Sequence, residues 1–506
     1  MRRNLIANLI SSGYTPLVML VCIPYYTKIL GMEAFGLVGF FMTLYAVFAQ
    51  FGSGLNMALN REMAVLSARS GAGRQMRDTV RSLEVWFWFL AVLSGGLVAG
   101  AAPLVGYHWM RAETLSAEVI TQVVVLMGLT LALQFPYGFY AGGLIGLQRQ
   151  VLLAGVNLVM NTLRFGGAAV MLWKVSPTIQ SFFLWQAGVS AVHTVLLAIL
   201  VWRSLPPSDR PASVRREVLA PLWRFALGAT GISLASLGLT QLDKVILSNR
   251  NVLGLEQYGH YMLAYMVATG LYVITGAVYT TFLPQLTQRV SLNEREQLTE
   301  QYHLGSQIMA VLLISAAAVG AVFSRELLLA WTGDPEKAEK AYVVLSMLLA
   351  GNTLNGLASL PYTLQLANGC TSISLAMSIT AMVIMVPLVV VMTTGFGPVG
   401  AAGAWVAMTL VYLVICVGVT HRRFLPGQSA RWYLQGLLMP LGAALPVVLL
   451  ARMVIPADLG RWAMLASLAG VGLLCLAATA LATPAVRGAL LLHLKRRAAP
   501  GDSATG

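Results

Sequence analysis

The chain has 506 residues, 58% of them hydrophobic and only 10% charged, with a mean hydropathy of +0.74. An average soluble domain is about a quarter charged, and barrel strands alternate over about ten residues, whereas apolar runs here reach roughly 20, so only a polytopic helical membrane protein fits. The formal charge of +14 lies in short loops between apolar segments, so it reads as an orientation signal and not as a nucleic-acid surface.

Windows of about 19 residues place about fourteen spans. The first, near residue 4, follows Met1-Arg2-Arg3 and imitates a secretory signal. Pro16 and Pro24 interrupt it and no small-x-small site follows, so it is expected to remain as a transmembrane helix. It carries Lys28 near its outer end. Spans two to six start near residues 35, 83, 118, 150 and 179. Span two shows Thr43, Gln50, Ser53 and Asn60. On span five, Gln150, Asn157, Asn161 and Arg164 recur at steps of seven, four and three, which puts them on one helical face that should line water rather than lipid. A charge near the bilayer centre costs at least a few kcal/mol, so Arg164 asks for a reason. Either it fixes packing against a neighbouring helix's carbonyls or carboxylate, or its planar fork serves phosphate oxygens.

After span six the basic stretch with Leu205-Pro206-Pro207-Ser208-Asp209 stops the helix and marks a linker. Span seven, from about 221, places Thr230, Ser233, Gln241, Lys244 and Ser248 on one face and Ser236, Thr240 and Asp243 on the next. Adjacent helical positions diverge by about 100°, so Asp243 and Lys244 are expected to need separate partners. Lys28 is the candidate partner for Asp243, in a pair that closes the outer side or in a protonatable coupling site. Snorkelling to the interface is the other reading of Lys28 and Lys244. Span eight, near 257, bears a tyrosine stripe. Tyr258 and Tyr261 fit an interfacial belt, while Tyr265 and Tyr272 lie deeper and read as packing or as a platform for sugar faces. Spans nine and ten start near 304 and 341, and span ten carries Asn352, Asn355, Ser359 and Tyr362 on one face. These amides either line a polar lumen or act as interhelical hydrogen-bond glue. The last four spans start near 373, 398, 434 and 461, and the tail beyond Ala498 is rich in Gly, Ser and Ala.

Alternating sides from an inside N-terminus puts roughly two-thirds of the 33 Lys and Arg inside, which predicts cytoplasmic termini. The four cysteines and the lone histidines, His193 among them, show no metal-ligand spacing. No catalytic pair stands on the short outer loops and no Walker motif exists, so neither catalysis nor ATP hydrolysis nor any cofactor is expected. The drive is then an ion gradient, the membrane potential or consumption of product.

A repeat is visible within the chain. Leu30-Gly31-Met32-Glu33-Ala34-Phe35-Gly36 recurs as Leu253-Gly254-Leu255-Glu256-Gln257-Tyr258-Gly259, and Pro136-Tyr137 recurs as Pro361-Tyr362 at nearly the same offset. Six intervening spans make the repeat parallel, giving two six-helix lobes around a central cleft with two appended helices. The expected organisation is an N-lobe over 1–204, a linker over 205–220, a C-lobe over 221–424, spans thirteen and fourteen over 425–485 and a cytoplasmic tail over 486–506.

The run Gln241-Leu242-Asp243-Lys244-Val245-Ile246-Leu247-Ser248 with the second repeat motif, and Ile23-Pro24-Tyr25-Tyr26-Thr27-Lys28-Ile29-Leu30-Gly31 with Glu33 and Phe35-Gly36, resemble bacterial polysaccharide-transporter proteins. These are the O-antigen and capsule repeat-unit flippases of the multidrug/oligosaccharidyl-lipid/polysaccharide exporter superfamily. The resemblance implies a non-enzymatic flippase in the bacterial cytoplasmic membrane that moves undecaprenyl-pyrophosphate-linked oligosaccharide by alternating access, for O-antigen, capsule or exopolysaccharide assembly. Membrane lipid, polysaccharide polymerase and chain-length proteins are the other implied partners. Arg164, Asn157, Asn161, Lys28, Lys244, Gln241, Tyr265, Tyr272, Asn352 and Asn355 are the candidate substrate contacts, with Asp243 and Lys28 for coupling or gating. A lipid II flippase, a multidrug exporter of the same superfamily and a membrane polymerase or ligase are the rival readings. The exporter would usually stop at twelve spans, and the polymerase needs a larger outer loop than the chain offers.

Overall fold

The computed structural model describes residues 2–498 except Ser70, Asp209, Arg216, 218–229, 231–240, Leu242, Arg250 and 457–458. Every regular element among the described residues is helical. Eleven segments are long and apolar enough to cross a membrane. The one ending at Phe424 breaks at Gly397, whose φ of 60° and ψ of −143° are open to glycine and strained for other residues. A Cβ on Gly400 would sit 1.9 Å from the Met392 carbonyl oxygen, so the chain doubles back there and the segment is two spans, 371–396 and 398–424. Splitting it, and adding the 29-residue helix Arg2–Leu30, brings eleven to thirteen among the described residues. The expected seventh span, from 221, lies largely outside them. The protein is an all-α polytopic membrane protein.

The chain divides into two compact units, Met1–Met262 and Leu263–Gly506. The first holds α1 (Arg2–Leu30), α2 (Met32–Ser67), α3 (Gly73–Gly100), the single turn α4 (Ala102–Leu104), α5 (Ala117–Gln134), α6 (Tyr137–Gly146), α7 (Gln150–Lys174) and α8 (Ile179–Ser204). Helix α9 (Leu255–Ala268) starts in the first unit and ends in the second. In the first, α3 packs on α5, α5 on α8, α2 on α6 and α1 on α7. Leu59, Met63, Val80, Leu83, Phe87, Phe139 and Leu197 are fully buried between them. Lipid tails are as apolar as these side chains, so dense packing and interhelical hydrogen bonds hold the helices together, not escape from water. Glu84 supplies one such knot: its buried carboxylate accepts from Tyr140 Oη at 2.6 Å, Trp202 Nε1 at 3.1 Å and Arg81 Nη1 at 2.9 Å, tying α3 to α6 and α8.

The linker after α8 is fastened to α3. Arg77 Nε donates to the Pro206 carbonyl at 2.7 Å, and buried Asp78 accepts from the Ser213 amide at 2.9 Å and from Arg215 Nε at 2.8 Å. Ser82 Oγ takes the Arg215 amide at 2.9 Å.

The second unit holds α10 (Leu271–Ser291), α11 (Arg295–Val322), α12 (Ser324–Thr332), α13 (Pro335–Leu357), α14 (Ser359–Ala367), α15 (Thr371–Phe424), α16 (Ser429–Tyr433), α17 (Met439–Val454), α18 (Arg461–Ala482) and α19 (Pro484–Ala498). Helix α11 packs against α10, α13, α17 and α18. Asp334 caps α13, its Oδ1 accepting the Glu336 and Lys337 amides, with Pro335 at the first helical position.

The repeat has a physical counterpart. Helices α2 and α9 begin at Met32 and Leu255, which are equivalent positions of the two motif copies. Span four breaks into α5 and α6 at Phe135-Pro136, and span ten breaks into α13 and α14 at Ala358, three residues before Pro361. Both breaks sit where proline removes a donor and crowds the preceding turn.

Candidate functional site

Helix α7 presents the polar face expected of span five. Arg164 lies on it, 8% exposed, and its Nε has no hydrogen-bond partner among the described residues. Its electrostatic neighbours are the phenols of Tyr45 on α2 and Tyr137 on α6; no carboxylate of the described residues pairs with it. Gln186 of α8 donates to the Arg164 carbonyl at 3.4 Å, which fixes the backbone but not the guanidinium. Two turns back, Asn157 Oδ1 accepts from Tyr137 Oη at 3.2 Å and lies 3.2 Å from His193 Nε2, while the Tyr137 and His193 rings stand 4.9 Å apart. Asn56 Oδ1, Ser190 Oγ and His193 Nδ1 are also buried without a partner among the described residues. Buried polar atoms in native proteins are nearly always satisfied, so these atoms on α2, α7 and α8 are places where water or a polar ligand would be taken up.

Asn161 behaves differently. Its Nδ2 donates to Thr15 Oγ1 at 2.8 Å, and Tyr14 Oη pairs with Thr162 Oγ1 at 2.6 Å, so this part of the face laces α7 to α1. Asn161 thus joins α7 to α1, and Asn157 is shared between Tyr137 and the histidine.

The expectation that Asp243 and Lys244 need separate partners is overturned. Lys244 Nζ lies 2.9 Å from Asp243 Oδ1 and 3.1 Å from Oδ2, with both residues 3% exposed. The Cα–Cβ bonds diverge as helical geometry demands, but the four-carbon lysine stem is long enough to fold back, and among apolar neighbours each charge is the other's cheapest partner. Tyr261 Oη adds a donor to Asp243 Oδ2 at 3.0 Å. The Asp243 carboxylate is therefore engaged by Lys244 and Tyr261 rather than by Lys28, which is exposed, and Lys244 does not snorkel. Tyr258 and Tyr261 do not form an interfacial belt: both are fully buried, and Tyr258 Oη lies 3.4 Å from Thr43 Oγ1. Gln241 is half-buried beside Leu242, which lies outside the described residues, as do Ser233, Ser236 and Thr240.

In the second unit, Asn352 is buried and makes three side-chain hydrogen bonds. Its Nδ2 donates to the Ala268 carbonyl at 2.9 Å, and its Oδ1 accepts from Tyr272 Oη at 3.1 Å and Trp405 Nε1 at 3.0 Å. That set ties α13 to α9, α10 and α15. Tyr265 and Asn355 are half-buried.

Three features escaped the sequence reading. Glu33, inside the repeated motif, is buried and accepts the amides of Glu113, Thr114 and Leu115, so it clamps the loop after α4. The duplicated Glu was its signal. Gly36 and Gly259 are equivalent in the repeat and make reciprocal contacts: a Cβ on Gly36 would lie 2.7 Å from the Leu255 carbonyl oxygen, and one on Gly259 2.3 Å from that of Met32. Helices α2 and α9 therefore meet backbone to backbone through their equivalent ends, as small residues permit. Tyr302 Oη and His421 Nε2 lie 2.8 Å apart and His421 Nδ1 lies 3.1 Å from Ser429 Oγ, joining α11, α15 and α16; these hydrogen-bonding groups carried no periodic signal. Among the described residues no three His, Cys, Asp or Glu side chains gather as a metal site.

Residues 1–288 match the polysaccharide biosynthesis protein family. No curated protein matches the chain. Among solved structures, the lipid II flippase MurJ in an inward closed conformation is similar at a TM-score of 0.71 and 12% identity, over 98% of this chain and 100% of that one. An inward-facing multidrug resistance MATE family transporter of the MOP superfamily is similar at 0.63 and 14%, over 82% and 94%. A MOP superfamily transporter from Pyrococcus furiosus is similar at 0.58 and 16%, over 83% and 94%. At these identities the likeness is one of fold.

Proposed function

The chain belongs to the polysaccharide biosynthesis protein family, and from that premise we propose that it is a flippase carrying polyprenyl-pyrophosphate-linked oligosaccharide repeat units across the bacterial cytoplasmic membrane. The observation that carries this reading is Arg164: a guanidinium buried in a membrane span, flanked by phenols and amides, with no carboxylate pairing among the described residues. Such a charge is expensive to keep unless an anion meets it, and its planar fork matches phosphate oxygens in pairs. Arg164 takes the pyrophosphate, and the amide and phenol groups around it are the candidates for sugar hydroxyls.

The parallel repeat supports alternating access, because two lobes built alike have one low-cost motion, a rocking about a central site. Lipid II is the second cargo to weigh, since the likeness to the MurJ flippase runs through 98% of the chain whereas that to the MATE transporter stops at 82%. Spans shared with a lipid-cargo flippase favour a lipid-linked substrate over a drug.

Depleting the protein in cells should cause one lipid-linked repeat unit to accumulate on the cytoplasmic side, with lipid II unchanged. Accumulation of lipid II instead would transfer the assignment to that cargo. The cytoplasmic placement of both termini and of the linker is tested by reporter fusions after residues 216 and 497. Both should report cytoplasm, and an external signal at either would reverse the topology.

A further inference from the structure

At one end of the first unit, the α2–α3 turn, the α6–α7 turn and the linker after α8 enclose a cleft of about 740 Å³. Arg69 and Arg74 reach it from the first turn, Arg149 from the second and Arg210 from the linker. All four are exposed, and no carboxylate is among the described residues that line the cleft. Arg74 Nε stands 3.9 Å from Asp78, whose carboxylate is already taken at 2.8 Å by Arg215.

An orientation signal requires only that cations lie on the right side of the membrane; it does not require them to converge. Here three turns, separated by about 60 to 80 residues in sequence, bring four guanidiniums to one concavity, and the walls are fixed. Arg77 holds the Pro206 carbonyl and buried Asp78 holds the Ser213 amide, so the linker is a built wall rather than a loose strand. On the opposite wall Gln148 takes a φ of 60°, a left-handed conformation unusual outside glycine, which ends α6 and turns the chain so that Arg149 lines the cleft. Leu147 and Pro206 add apolar surface beside the cations. Like charges so gathered repel unless an anion lies among them. Guanidinium forks grip phosphate oxygens in pairs, and four of them exceed what a single phosphate uses.

We propose that this cleft is a second anion site, separate from Arg164, that binds a ligand bearing two phosphate groups through Arg69, Arg74, Arg149 and Arg210. The same chemistry is offered by a soluble diphosphate and by the headgroup of a diphosphate-bearing membrane lipid.

The test uses the full-length protein. One arm titrates inorganic pyrophosphate into protein in neutral detergent by calorimetry. The other measures retention of diphosphatidylglycerol by native mass spectrometry after exchange from phosphatidylcholine nanodiscs doped with it. The variants are Arg149→Gln/Arg210→Gln and Arg69→Gln/Arg74→Gln, with Arg422→Gln/Arg423→Gln, which do not line the cleft, as the control. Because the cleft arginines are exposed, folding should survive in both. Each double variant should weaken binding roughly tenfold or more, and added salt should weaken wild-type binding too. Loss in the pyrophosphate arm identifies a soluble diphosphate, and loss in the lipid arm alone identifies a headgroup. Equal binding by wild type, both cleft variants and the control in both arms overturns the site.

Discussion

Arg164→Ala should abolish export of the lipid-linked repeat unit while the protein still inserts and purifies as a folded species. Two charge-assisted hydrogen bonds to a pyrophosphate are worth about 3 kcal/mol or more, so transport should fall by roughly a hundredfold at limiting substrate. Arg164→Lys should recover only part of that, since an ammonium keeps the charge but not the fork. Stability should move the other way. The guanidinium has no carboxylate partner among the described residues, so removing it relieves a buried charge, and thermal unfolding of Arg164→Ala should occur at or above the wild-type temperature. A packing role predicts the reverse pairing of results: unimpaired export with a lowered unfolding temperature.

The second large effect is expected at the Asp243–Lys244 pair. Asp243→Asn leaves a buried ammonium 3% exposed without its counter-charge, which costs about 3–5 kcal/mol and should lower the thermal unfolding midpoint sharply. The double variant Asp243→Asn/Lys244→Met removes both charges, keeps the Tyr261 hydroxyl supplied with an acceptor, and should recover most of the loss. A charge swap between Asp243 and Lys28 should restore nothing, because Lys28 is exposed and the carboxylate is already bound. If the double variant is as unstable as Asp243→Asn alone, the pair is not what holds this segment, and a rescue by the Lys28 swap would reinstate the partner expected from sequence.

What the sequence made legible divides by range. Hydropathy and helical period are local, so the all-helical class and the shared face of Asn157, Asn161 and Arg164 could be read directly. The repeat was legible because duplication leaves equal motifs in register, and it anticipated the matching starts of α2 and α9. Which side chain meets which is not local. Nothing in the order of residues says that Asn161 spends its amide on Thr15 or that Asn352 joins Tyr272 to Trp405. The error at Asp243 and Lys244 had a different cause: the helical wheel fixes where Cβ points but not where a flexible four-carbon stem ends. Tyr261 was misplaced because a tyrosine near a helix start fits a belt as well as it fits a buried carboxylate, and only the fold supplies Asp243 as its neighbour.

The most direct measurement is reconstitution. Purified protein would be placed in proteoliposomes carrying a fluorescent polyprenyl-pyrophosphate oligosaccharide, and a membrane-impermeant quencher would report the fraction reaching the outer leaflet. Transfer should require the protein, be competed by the same lipid-linked oligosaccharide, and drop to near background with Arg164→Ala. Transfer by Arg164→Ala equal to wild type, or no transfer by wild type of any polyprenyl-pyrophosphate oligosaccharide while a simple organic cation crosses, would contradict the proposed function.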